Sequence, residues 1–234
     1  ASVSAVWLPT GIALAALLLW GERLWPGILL GAFVVNITTQ GSVATSFGIA
    51  VGNTLEAVIA ARLVFRFAGG LKVFERAHTI FIFVLIAAIL STTVSATFGV
   101  TSLCLGGFEK WARYFPVWLT WWLGDMTSNL IVTPLLIIWL TEPLPTLRLE
   151  KILEGAGLFA SVIFAGQVVF VGRNPFGGEN LPLEYFGLLP LLWAAFRFGK
   201  RGAVMAAFVM SGIALWGTLC GLGPFARPDA DVSL

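Results

Sequence analysis

The sequence predicts an all-α integral membrane protein, a bundle of about eight transmembrane helices. Hydrophobic residues make up 58% of the 234 residues, charged residues only 11%, and the mean hydropathy is +0.93. A soluble domain carries about 25% charged residues and cannot enclose so much apolar surface. Because a spanning helix needs about 20 mostly apolar residues and such stretches follow one another here, we expect the lipid bilayer to surround this chain.

The predicted helices are eight apolar segments in close succession. They cover residues 3–20, 24–38, 43–65, 79–100, 116–140, 152–171, 183–196 and 203–222. The second and seventh segments are short for a bilayer about 30 Å thick, so a re-entrant or partial helix remains an alternative for each. No polar linker or low-complexity tract interrupts the series, which favours a single membrane domain over residues 1–234.

The basic residues predict the orientation, because Lys and Arg concentrate in cytoplasmic loops. Alternation of eight spans places ten of the 14 on one side, namely Arg23, Arg62, Arg66, Lys72, Arg76, Arg148, Lys151, Arg197, Lys200 and Arg201. The other side receives Lys110, Arg113, Arg173 and Arg227. The first side is therefore predicted to be cytoplasmic, with both Ala1 and Leu234 outside.

The two ends of the chain favour a piece of a longer protein. The sequence opens on Ala1-Ser2-Val3, without a methionine and without a basic region before the first apolar run. A cytoplasmic output domain, absent from this chain, would require a further crossing after Leu234. We therefore expect a further helix beyond the eight.

Several classes of protein are excluded by composition and motifs. The net charge of +2 and the lack of long basic runs argue against nucleic acid as a partner. Cys104 and Cys220 fit no metal-ligand spacing, and the single His78 cannot supply paired haem ligands, so we expect no metal and no cofactor. Since no metalloprotease, nucleophile-elbow or phosphate-loop motif occurs, this segment is not expected to be an enzyme.

Two acidic residues lie inside predicted spans, where a charge costs several kcal/mol and indicates a functional site. Glu56 falls just past the middle of the third segment, and Asp125 about a third of the way along the fifth. Helical spacing places Asp125 and Asn129 on one face with Trp121 and Thr133. Asn53 and Glu56 share another face, and both faces are predicted to point inward.

The candidate ligand-binding or signal-sensing residues are Asn36, Asn53, Glu56, Trp121, Trp122, Asp125 and Asn129. For the amides, including Gln167 of the sixth segment, hydrogen bonding that merely holds the helices together is a competing interpretation. For Trp121 and Trp122, ordinary core packing competes with an aromatic pocket. Glycines four apart, Gly27 with Gly31 and Gly48 with Gly52, predict close helix packing.

Five stretches together resemble the first-described family of bacterial membrane-associated sensor domains. They are WLPTGIALA at 7–15, LWPGILLGAF with Asn36 at 24–36, GNTLEA at 52–57, WWLGD at 121–125 and GPFA at 223–226. Together they extend over most of the chain, from residue 7 to residue 226, and they occur in the family's order. The resemblance implies a multi-pass sensory module of the bacterial inner membrane, fused to a cytoplasmic histidine kinase, diguanylate cyclase or phosphodiesterase.

The functional hypothesis is that a small ligand, or a membrane state, is detected among the inward polar faces and passed to the output domain. The alternative is a transporter or its substrate-binding membrane subunit, because broken helices and midplane polar groups also mark transport sites. A third interpretation is an anchor that forms a homodimer through glycine-rich faces.

Overall fold

A computed structural model describes residues 6–39, 41–143, 148–171 and 183–222, and these residues form helices and no strand. The helices are α1 (Leu8–Trp20), α2 (Trp25–Thr39), α3 (Val43–Phe67), α4 (Ala77–Phe83), α5 (Thr92–Leu105), α6 (Tyr114–Thr141), α7 (Leu149–Phe170) and α8 (Leu188–Leu219). The expectations placed on Ala1, Arg173, Arg227, residues 223–226 and Leu234 lie outside the described residues.

Five helical stretches are long and apolar enough to cross a bilayer, which confirms the all-α membrane class. They are Val43–Phe67, Ala77–Leu105, Trp111–Thr141, Leu149–Phe170 and Tyr185–Leu219. With 13 and 15 residues, α1 and α2 are about 20 and 23 Å long, less than the hydrocarbon thickness of about 30 Å. The predicted number of eight spans is therefore not confirmed.

Helix α8 contains a break at Gly199, where φ is 62° and ψ is −152°. This backbone conformation is accessible essentially to glycine alone. A Cβ placed on Gly187 would lie 3.8 Å from the Met210 methyl carbon, whereas an unbroken helix would separate the two residues by about 34 Å. The chain therefore reverses at Gly199, and α8 is a helical hairpin whose arms correspond to the predicted segments 183–196 and 203–222.

By its contacts the described chain forms two compact units, which divide between Ile137 and Ile138. In the first unit α3 packs most extensively against α5 and α2. Glycines allow the close approach of α3 and α5, since a Cβ on Gly52 would lie 2.5 Å from the Cβ of Phe98. The predicted packing role is confirmed for Gly48, which abuts Ser102, and for Gly52.

The predicted packing role of Gly27 and Gly31 in α2 is not observed. A Cβ on either residue would meet no described atom within 4 Å. The two glycines therefore lie on an open face of α2 within the described part of the chain, and helical spacing alone could not distinguish this face from a packed one.

A π-helical segment, Val84–Leu90, joins α4 to α5 within the single apolar stretch Ala77–Leu105. Its wider turn is visible at Ser91, whose N–H donates to the carbonyl of Ile86 five residues earlier, at 3.1 Å. Carbonyl groups of this segment accept bonds from a side chain, since the Ser91 hydroxyl lies 2.9 Å from the Ile86 oxygen and 2.8 Å from that of Ala87. π-Helical turns recur at functional sites. The segment contacts α6, because Trp122 and Asn129 of α6 donate to its carbonyl groups.

The second unit consists of the end of α6, α7 and the α8 hairpin. Its core is formed by Leu158, Val162, Ala165, Ala194, Ala206 and Met210. Ion pairs surround the basic turn of the hairpin, where Arg197 pairs with Glu154 and Lys200 with Glu142 at 2.6 Å. Arg197 thus lies two residues before the break at Gly199 and is bonded there to a side chain of α7.

Candidate functional site

Asp125 is fully buried at the meeting point of α1, α5 and α6. Its carboxyl group accepts two hydrogen bonds from hydroxyl groups, one from Thr10 of α1 at 2.6 Å and one from Ser95 of α5 at 2.9 Å. A carboxyl group in this position requires such donors, because an unpaired buried acid is strongly destabilising. Asp125 therefore connects three helices through its two oxygens.

The hydroxyl group of Ser95 links Asp125 to α3. Its oxygen lies 2.7 Å from Oδ1 of Asn53 and accepts a hydrogen bond from Nε1 of Trp121 at 3.2 Å. A hydroxyl has one proton, so Ser95 donates either to Asp125 or to Asn53 at any moment. The two acceptors compete for this proton, and the arrangement can exist in two hydrogen-bonded forms.

Glu56 of α3 is 1% exposed, and only one of its two carboxyl oxygens has a hydrogen-bond partner among the described residues. Its Oε1 accepts a bond from Nδ2 of Asn129 at 3.3 Å, while Oε2 has no hydrogen-bond partner among the described residues. Asp125 lies near enough for its charge to act on Glu56. A buried, unpartnered carboxyl oxygen beside a second acid is the clearest place for a proton, a small cation or a ligand's donor group.

Asn129 joins Glu56 to the π-helical segment. Its Nδ2 also donates to the carbonyl of Ala87 at 2.9 Å, and its Oδ1 lies 3.3 Å from the hydroxyl of Thr133. That hydroxyl reaches the Gly11 carbonyl of α1 at 3.1 Å. The chain of contacts from Glu56 through Asn129 to Gly11 therefore runs across α3, α6 and α1.

Helix α1 is held against α6 at Gly11. The Gly11 N–H donates to Oγ of Ser128 at 3.0 Å, and this is sterically allowed because Gly11 has no side chain: a Cβ would lie 2.6 Å from the Ser128 carbonyl oxygen. The glycine of the WLPTG stretch thus brings its neighbour Thr10 within reach of Asp125.

The inward orientation predicted for the acids and for Asn129 is confirmed, since Glu56, Asp125, Asn129 and Thr133 are all buried. Asn53 and Trp121 are partly exposed and join the same cluster through Ser95. We call this set of Thr10, Asn53, Glu56, Ser95, Trp121, Asp125 and Asn129 the polar cluster.

Two predicted site residues do not join the polar cluster. Nδ2 of Asn36 donates to the Ala32 carbonyl of its own helix at 2.8 Å, so this bond joins two residues of α2 and no other helix. Nε1 of Trp122 donates to the Ile89 carbonyl of the π-helical segment at 3.0 Å. Asn36 was selected as a polar side chain within an apolar segment and Trp122 for its depth in the fifth segment, and neither property specifies a bonding partner.

Two members of the polar cluster, Thr10 and Ser95, were not predicted as site residues. Hydroxyl side chains are common in membrane helices, where they usually bond to their own backbone, as Thr92 does with Ala88 at 2.7 Å. The available signal was composition: Ser95 lies in a run of hydroxyl residues, Ser91, Thr92, Thr93, Ser95 and Thr97, within an apolar segment. That signal identifies a polar face without identifying its partner.

Glu22, in the turn between α1 and α2, forms an exposed bidentate ion pair with Arg62 near the end of α3, with a closest distance of 2.7 Å. The hydrogen bonds from the Arg62 guanidinium hold the pKa of the Glu22 carboxyl below its usual value. This pair ties the turn after α1 to the end of α3 on the side predicted to be cytoplasmic.

The fold and the polar cluster define a multi-pass membrane protein whose helices are joined through buried polar side chains. The chain belongs to the MASE1 family, whose model matches residues 1–234. MASE1 domains are membrane-associated sensor domains of histidine kinases and diguanylate cyclases, not catalytic domains, which confirms the resemblance found in the sequence. No curated protein and no solved structure matches the chain significantly.

Proposed function

We propose that the chain is the membrane-embedded sensory module of a bacterial signalling protein, a histidine kinase or cyclic-di-GMP enzyme of the inner membrane. We further propose that the polar cluster is its detection site. The observation that carries this assignment is the free Oε2 of Glu56, buried beside Asp125. A small ligand with a positive charge or a hydrogen-bond donor would complete the coordination of this oxygen.

Detection requires that the ligand bind one helix arrangement more tightly than another. The polar cluster offers such a difference, because Ser95 can donate to Asp125 or to Asn53 but not to both. A ligand bound at the free Oε2 of Glu56 would change the contact of this carboxyl group with Asn129 and favour one hydrogen-bonded form of the polar cluster. Since the cluster joins α1, α3, α5 and α6, this local choice would alter how those helices pack.

The test is a thermal-shift and native mass spectrometry screen of the purified chain with metabolites and with monovalent and divalent cations. We expect a stabilising compound whose effect is lost in Glu56→Gln and in Asp125→Asn. Glu22→Gln is the matched control, because it also removes one carboxylate but lies at the surface. In the full-length parent, the same two core variants should lose the response of the output activity to that compound.

Two outcomes would count against this proposal. Unchanged signalling by both core variants in the parent would remove the polar cluster from detection. Uptake of the stabilising compound into proteoliposomes, driven by its concentration gradient, would favour the alternative function, a transporter.

A further inference from the structure

The second unit contains a cavity of about 620 Å³ between α7 and the α8 hairpin. Its wall is largely apolar and includes Trp139, Ile152, Leu158, Phe159, Val162 and Met205. This volume lies within the range of about 300–1,000 Å³ that is typical of ligand pockets. All the residues of the wall belong to one compact unit, and none belongs to the polar cluster.

Three cations and one acid line this cavity, namely Lys151, Arg197, Arg201 and Glu154. Arg197 is paired with Glu154. Lys151 is exposed and forms no ion pair or hydrogen bond with the described residues, although it interacts electrostatically with Glu154. The basic side chains that line the cavity therefore outnumber its single acid, Glu154, and the lining has a net positive charge.

Arg201 supplies a second cationic group with unused hydrogen-bonding capacity. Its side chain is 11% exposed, lies over the ring of Trp139, and donates from its two terminal nitrogens to the carbonyls of Glu142 and Pro143. Its buried Nε has no hydrogen-bond partner among the described residues, and the nearest carboxylate oxygen of Glu142 is 3.8 Å away. A buried guanidinium N–H without an acceptor favours an anionic ligand.

We propose that this cavity binds an anionic phospholipid of the surrounding bilayer, with the phosphate group near Lys151 and Arg201 and an acyl chain along the apolar wall. The basic side chains of the cavity match the phosphate group of such a lipid, and the apolar wall matches its acyl chain. The cavity also lies among the basic residues that the positive-inside rule assigns to the cytoplasmic side, where basic pockets between helices bind lipid headgroups. This site is separate from the detection site and does not depend on it.

The first experiment compares phosphatidylglycerol with phosphatidylcholine of identical acyl chains, added to the delipidated chain in detergent and followed by native mass spectrometry. We expect phosphatidylglycerol to bind about tenfold more tightly, as one charge-assisted hydrogen bond would provide. Equal affinities would overturn the proposal, because the apolar wall alone would then account for binding.

Variants separate the roles of charge and cavity. Lys151→Gln should remove most of the preference for phosphatidylglycerol, whereas Lys110→Gln, a surface change on the opposite predicted side, should retain it. Gly155→Leu should place a side chain in the part of the cavity that Gly155 lines and weaken binding about tenfold. Gly157→Leu makes the same change two residues away on α7, outside the lining, and should bind as the parent does.

A competition experiment with the headgroup alone distinguishes a bilayer lipid from a soluble phosphate compound. Glycerol phosphate, which has no acyl chains, should fail to displace phosphatidylglycerol at concentrations where the lipid saturates the site. Displacement by glycerol phosphate, or binding by Gly155→Leu equal to that of Gly157→Leu, would contradict the assignment of a lipid to this cavity.

Discussion

The amide of Asn129 donates to Oε1 of Glu56 at 3.3 Å and leaves Oε2 of the same carboxyl group without a partner. The same Nδ2 also donates at 2.9 Å to the carbonyl of Ala87 in the π-helical segment, which the Ser91 hydroxyl contacts as well. One side chain of α6 therefore holds a buried acid of α3 and a backbone group of the α4–α5 span at the same time.

Asn129→Ala should destabilise the helix bundle by about 1–3 kcal/mol, because it removes the Asn129 donor from Oε1 of the buried Glu56 and leaves the Ala87 carbonyl with the Ser91 hydroxyl as its side-chain donor. Asn36→Ala is the matched control, since Asn36 bonds only to its own helix, and it should cost about 0.5 kcal/mol or less. Denaturant-induced unfolding in detergent measures both. Equal losses for the two variants would contradict the role of Asn129 in joining helices.

Thr10→Val should lower stability by about 1.5–3 kcal/mol, because it removes a hydrogen bond to the buried carboxyl group of Asp125. Thr10→Ser retains the hydroxyl group and should keep most of the stability. The same unfolding measurement separates them. A valine variant as stable as the parent would contradict the role of this hydrogen bond in holding α1.

Gly52→Ala should destabilise the chain by about 1–3 kcal/mol through overpacking, since its Cβ would lie 2.5 Å from the Cβ of Phe98. Gly27→Ala places the same methyl group in open space on α2 and should be close to neutral. Thermal unfolding of both variants tests the difference. A neutral Gly52→Ala would show that α3 and α5 can separate without cost.

Gly199→Ala should cost about 1–3 kcal/mol, because a residue with a Cβ is strained at φ 62° and ψ −152°. Gly157→Ala, at a helical position of α7 where the nearest atom would lie 3.9 Å from the added Cβ, should be neutral or stabilising. Proteolysis near the hairpin turn should increase only in the first variant. An unchanged digestion pattern there would contradict the reversal at Gly199.

The Glu22–Arg62 pair should make a small, pH-dependent contribution to stability. The pKa of Glu22 is lowered in the folded chain, so the stabilisation is present above the unfolded pKa of about 4.3 and is lost as the pH falls through the folded pKa. Arg62→Gln should therefore differ from the parent at neutral pH and converge with it in acid. High salt should also reduce the difference, because both side chains are exposed.

The sequence alone determined the all-α membrane class and the residues whose burial is costly. Hydrophobic length reveals spanning helices, and an acid inside such a helix must point inward, so Glu56, Asp125 and Asn129 were found by composition and spacing. Motifs in order along the chain also indicated the family. These properties are local, and one chain segment at a time is enough to establish them.

Only the tertiary structure decided which polar groups meet. Asp125 depends on Thr10, which is 115 residues away, and the partner of Glu56 lies 73 residues along the chain. Asn36 has the same chemistry as Asn129 but bonds to its own helix, and the cavity of the second unit exists only because α7 packs against the α8 hairpin. Periodicity gives the face of a helix, whereas hydrogen-bond partners depend on helix rotation and packing, which no single segment specifies.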